Sequence, residues 1–131
     1  MDMKLELIPI AVADVDRAKE FYGDRLGFTV DVDVQPADGV RVVQVTPPGS
    51  ACSIGFGAGL PVYDEMTPGS VTAIHLVVAD IEAARAELVA RGVDVGEVYD
   101  VGGGVKYAPL SDPDGNGLTL QQMAWRTGEA F

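Results

Sequence analysis

The sequence predicts an α+β fold in which tandem βαβββ repeats form a curved, cup-shaped mixed sheet with helices outside. The order strand, helix, three strands occurs twice along the chain. The strand-to-helix corner Val12-Ala13-Asp14-Val15-Asp16-Arg17-Ala18 is echoed by Val78-Ala79-Asp80-Ile81-Glu82-Ala83-Ala84, and Leu26-Gly27-Phe28-Thr29-Val30 by Arg91-Gly92-Val93-Asp94-Val95. One such unit exposes a sheet face it cannot cover alone, so two combine, within one chain or across a dimer, and a ligand would sit on the concave side. The modules are expected at about 4–57 and 71–124, joined by a linker at 58–70, within one domain spanning 1–131.

Leu5–Val12 alternates as a strand, with Pro9 demanding an edge or bulge because it cannot donate to a ladder. Asp14 then caps a helix through Tyr22, whose stripe is Val15, Ala18 and Tyr22 and whose end is Gly27. Phe28–Val34, Val40–Thr46 and Ala51–Phe56 follow as strands, divided by Pro36-Ala37-Asp38-Gly39 and Pro47-Pro48-Gly49-Ser50. Gly57–Ser70 carries enough glycine and proline to break any regular pattern. Val71–Val78 is the next strand. Asp80 caps a helix with buried stripe Ile81, Ala84 and Leu88, ended by Gly92. Val93–Tyr99, Val105–Leu110 and Leu118–Met123 complete the second unit, the last two joined through Ser111-Asp112-Pro113-Asp114-Gly115-Asn116-Gly117. In the last strand Leu118 and Leu120 share the greasy face, while Thr119, Gln121 and Met123 share the face suited to a pocket.

At 131 residues, 47% hydrophobic and 22% charged, the chain suits one ordinary globular domain. Its net charge of −11 opposes binding to nucleic-acid phosphates or an anionic membrane, whereas a neutral or cationic small molecule is accepted. No apolar run approaches the roughly 20 residues of a spanning helix. With a lone cysteine, Cys52, and a start lacking a secretion pattern, the expected compartment is the cytoplasm. If Ser53 faces the cavity, Cys52 alternates toward the helix layer as an inert core thiol. Gly102-Gly103-Gly104 lacks the strand-to-helix context of a phosphate loop and reads as a mobile hairpin able to cover a cavity mouth.

Val12–Phe28, the second-half Val78–Val93 and Asp112–Leu120 together resemble the glyoxalase / bleomycin-resistance / extradiol dioxygenase group, the vicinal oxygen chelate (VOC) superfamily. The resemblance runs from Leu5 to Gln122. It implies, in catalytic members, a metal held by His, Glu or Gln from the first and last strands of each half. Carried onto this chain, those positions fall on Leu7, Ser53, Ala73 and Thr119, none of which is a good ligand for zinc, iron or nickel. One histidine in the whole chain cannot supply a two-His site either. No metal and no cofactor is therefore expected.

His75, on the strand face of Ala73, is the candidate catalytic residue, as a general base, or else a partner for a bound ligand. The expected ligand-binding set is Leu7, Ser53, Ala73, His75, Tyr107, Thr119, Gln121 and Met123. Thr119 and Gln121 offer hydroxyl and amide groups. Tyr63, Met66, Tyr107, Met123 and Trp125 suit a planar organic ligand, and equally a core or dimer interface. The resemblance implies a metal-free, bleomycin-resistance-like homodimer that sequesters a small hydrophobic or cationic organic molecule, with no nucleic-acid or membrane partner. The alternative is a glyoxalase-type lyase, isomerase or dioxygenase using an unconventional metal or His75 as base.

Overall fold

The computed structural model describes residues 1–128 and 131. The first unit consists of β1 (Leu7–Pro9), α1 (Val15–Lys19, widening into a π-helical segment over Glu20–Arg25), β2 (Thr29–Ala37), β3 (Val40–Thr46) and β4 (Ser53–Ala58). A short α2 (Pro61–Asp64) leads to the second unit: β5 (Ile74–Val77), α3 (Ile81–Ala90), β6 (Tyr99–Gly102), β7 (Val105–Ser111) and β8 (Gly117–Met123). The strands form two four-stranded mixed sheets with one plan, β1-β4-β3-β2 and β5-β8-β7-β6. In each, the first strand runs parallel to the last and the other pairings are antiparallel. The expected α+β fold of tandem βαβββ units is thus present, one open sheet per unit.

Asp14 and Asp80 cap the helices as expected. Each is extended, and its carboxylate accepts a 3.1 Å hydrogen bond, from the Arg17 and Ala83 N–H respectively. Gly27 and Gly92 turn the chain at φ 78° and 83°, a conformation that costs other residues dearly. Alternation along the strands sends Val43, Val45, Ile54 and Phe56 from the first sheet, and Ala108, Leu110, Leu118 and Leu120 from the second, toward Ala18, Tyr22 and Ile81 on the helices. These side chains form a single apolar cluster. Burial of each large one contributes roughly 1.5–3 kcal/mol.

The Asp112–Asn116 turn clasps the first unit to the second. Asp112 is buried; its Oδ1 accepts from the N–H groups of Asp114 and Asn116 at 2.9 Å each, and its Oδ2 accepts from the Tyr22 hydroxyl at 2.9 Å and Asn116 Nδ2 at 2.8 Å. Asn116 Nδ2 also donates to the Ala11 carbonyl, and Asp114 Oδ1 accepts from Ala13 N–H and the Arg17 guanidinium. Burial, then the adjacent Asp112 carboxylate, pushes the Tyr22 hydroxyl far above the usual phenol range.

Four expectations need correction. The Val93–Tyr99 strand shrinks to a single bridge, Val95 to Leu110, and regular pairing starts only at Tyr99. Arg85 explains why: its guanidinium donates to the carbonyls of Gly96 at 2.7 Å and Val95 at 3.1 Å, groups a ladder would otherwise use. The linker is not wholly irregular, because Pro61 opens one helical turn that buries Tyr63. Cys52 lies outside the core, half-buried, with its thiol donating to the Ser53 carbonyl at 3.6 Å. The first strand is only Leu7–Pro9, at a sheet edge where Pro9 is tolerated.

Candidate functional site

The helix-facing side of both sheets carries the apolar cluster, and polar side chains gather on the opposite faces. On the second sheet that face is built in cross-strand rows. His75 lies beside Thr119, which lies beside Pro109; Val77, Gln121, Tyr107 and Tyr99 form the next row, and Met123 pairs with Val105 in the third. The His75 and Tyr107 rings meet edge to face with centroids 5.7 Å apart. Five of the expected residues, His75, Tyr107, Thr119, Gln121 and Met123, thereby share one surface that combines aromatic faces, a hydroxyl, an amide and a thioether. Tyr99 joins them; its strand begins later than the sequence pattern suggested, which hid its pairing with Tyr107. Tyr99 and Trp125 are more than half exposed.

On the first sheet the equivalent face is occupied. Leu7 pairs with Ser53, as the expected set requires. Ser53 Oγ lies 2.7 Å from Thr46 Oγ1, which donates to Asp31. The Thr46 hydroxyl donates to the Asp31 carboxyl group. That leaves the Thr46 oxygen to receive the Ser53 hydroxyl proton. Beyond Ser53, Gly55 and Gly57 clear the face for the Tyr63 ring: a Cβ on Gly57 would fall 3.0 Å from the ring, and one on Gly55 would fall 3.1 Å from its hydroxyl. Burial raises the Tyr63 hydroxyl pKa. Two glycines at period two in a strand are the available signal that something lies on that face.

Leu7 and Ser53 therefore belong to one sheet and the His75 group to the other, and among the described residues no strand pairing joins the two. Ala73 precedes β5 and is exposed; the residue beside Thr119 is His75 instead. Tyr63 packs within the protein, whereas Trp125 stands out from it. Among the described residues no three His, Cys, Asp or Glu side chains converge in a metal-holding group. Leu7, Ser53 and Thr119 offer one hydrocarbon and two hydroxyls, and His75, standing beside Thr119 where Ala73 was expected, adds a single imidazole; one imidazole and two hydroxyls do not fit a divalent transition metal. Among the described residues no helix is long and apolar enough to cross a membrane.

Comparison with known proteins agrees with this geometry. The family described as Glyoxalase/Bleomycin resistance protein/Dioxygenase superfamily matches residues 4–120. Among solved structures, TnmS3, an antibiotic binding protein from Streptomyces sp. CB03234, is 32% identical, with a TM-score of 0.79 over 94% of this chain and 98% of its own. A glyoxalase/bleomycin resistance protein from the same organism is 34% identical, with a TM-score of 0.74 over 91% and 100%. A superfamily member from Sphaerobacter thermophilus DSM 20745 is 33% identical, with a TM-score of 0.78 over 92% and 98%. No curated protein matches the chain.

Proposed function

The chain belongs to the glyoxalase/bleomycin resistance protein/dioxygenase superfamily, and from that premise we propose that it is a metal-independent binding protein that sequesters a hydrophobic or cationic organic molecule. The observation that carries this reading is the open face of the second sheet, where His75, Tyr99, Tyr107, Thr119, Gln121 and Met123 lie together around a pair of aromatic rings. Aromatic faces and a thioether favour a planar ligand body; the hydroxyl, amide and imidazole orient it by hydrogen bonds. A net charge of −11 draws cations toward the protein and repels polyanions. The antibiotic-binding neighbour supports the same class of ligand.

Leu7 and Ser53 enter the reading as the wall contributed by the first sheet. A homodimer brings such a wall over the second sheet of a partner, and the exposed Val30, Val34, Tyr99 and Val101 are suited to being covered in this way. Ala73 has no place at the site beyond its exposed position ahead of β5.

Titration calorimetry against a cationic glycopeptide antibiotic and a panel of planar aromatic antibiotics tests the proposal. Saturable binding to at least one, unchanged by chelator and unaccompanied by turnover, is expected. Silence across the panel together with stoichiometric bound metal and catalysis would sink it.

A further inference from the structure

The two units meet at two joints that the internal repeat relates to each other, and only one is filled. At the first, Tyr22 and the Asp112–Asn116 turn close the space, leaving a crevice of about 180 Å³ beside Arg17, Phe21, Arg25 and Pro113. At the second, Leu88 stands where the first repeat carries Tyr22, and Pro47-Pro48-Gly49-Ser50 takes the place of the carboxylate-bearing turn. Among the described residues no hydrogen bond ties that turn to α3. The result is a cavity of about 550 Å³ with a leucine-rich wall that includes Leu26, Leu88, Leu110 and Leu120. That volume falls in the range of small-molecule sites.

Its charge runs against that of the chain. The sequence has 20 acidic and 9 basic residues, yet among the described residues this cavity is lined by the side chains of Arg91 and Arg126 with Glu87 as the one acidic side chain. Arg91 Nη2 donates to Glu87 at 2.5 Å, which leaves Arg126 as the lining cation with no ion-pair partner among the described residues. We infer that this second joint is a binding site for a small amphipathic carboxylate, its hydrocarbon body among the leucines and its carboxylate at Arg126. The site uses the helix-facing side of the second sheet, opposite the face proposed above, and shares with it His75 and Val77 on edge strand β5. Ligands of opposite charge preference would thus occupy opposite sides of one sheet.

The probes are decanoate and decanol, titrated calorimetrically into the intact chain at low salt. Decanoate is expected to bind roughly three- to fivefold more tightly than decanol, the advantage of a solvent-exposed ion pair, and Arg126→Gln should erase that difference. Leu88→Trp, or Ala84→Leu should the first variant not fold, fills the cavity and should weaken both probes at least tenfold. The assignment fails if neither probe binds, if acid and alcohol bind equally to the native chain, or if a cooperatively folding cavity-filled variant binds decanoate as the native chain does.

Discussion

The two units share one strand order but divide their labour. The first covers its inner face with Tyr63 and leaves its own turn, Pro47–Ser50, standing off from the neighbouring helix. The second leaves its inner face open and presses its turn, Asp112–Asn116, into the first unit. Backbone plan is therefore common property, while a few substitutions decide which surface is packed and which is available: glycine at 55 and 57 against glutamine and methionine at 121 and 123, and tyrosine at 22 against leucine at 88. A repeated fold acquires a site where one copy declines to fill what the other fills.

The contrast can be broken most severely at the clasp. Asp112→Ala strands two backbone N–H groups, the Asn116 amide and the Tyr22 hydroxyl, and should cost about 3–5 kcal/mol in urea unfolding. A loss under about 1 kcal/mol would mean that the joint is held by apolar packing alone. Next is Gly57→Ala, whose new methyl group would lie 2.1 Å from the Arg41 carbonyl and 3.0 Å from the Tyr63 ring. It should cost about 2–3 kcal/mol, and an unchanged melting curve would show that neither the Arg41 carbonyl nor the Tyr63 ring crowds that position.

The open face of the second sheet should respond in the opposite way. His75→Ala and Thr119→Val should change stability by under about 0.5 kcal/mol. Each should nonetheless weaken the binding of a planar antibiotic identified by calorimetry about tenfold, through loss of an oriented hydrogen bond. Stability loss without affinity loss would reduce these residues to sheet packing.

The smallest effect is electrostatic and confined to the first unit. Hydrogen bonds from Arg41 and then Lys19 hold Asp33 at about 2, below its ordinary 3.8. A carboxylate lowered in the folded state stabilises fully above the unfolded value and loses that contribution as pH falls toward the folded one. Asp33→Asn should flatten the decline in stability between about pH 4 and pH 2. An unaltered acid limb would show that the network is screened by solvent.

Much of the architecture was legible because its signals are local. The Val12–Ala18 and Val78–Ala84 echo, the two aspartate caps and the terminating glycines each announce themselves within a few residues. The second sheet's inner face followed from alternation along Leu118–Met123. What escaped depended on distant partners. Arg85 dissolves the expected strand at Val95 from an adjoining helix, and Tyr63 reaches from the linker onto a sheet whose glycines only hint at an occupant. Equating Ala73 with Leu7 carried the repeat's spacing one step too far, since strand pairing sets His75 beside Thr119. The unfilled joint is a property of the space between units, and alternation within a strand carries no record of it.

The Tyr22–Asp112 bond spans 90 positions of sequence, and this bears on how the molecule comes into being. While the ribosome is still making the second unit, the first has its helix but not the turn that seals Tyr22 away, so its apolar interior stays accessible until Asn116 has left the exit tunnel. Nascent chains halted before that point should be readily digested by protease, and those halted well after it should resist.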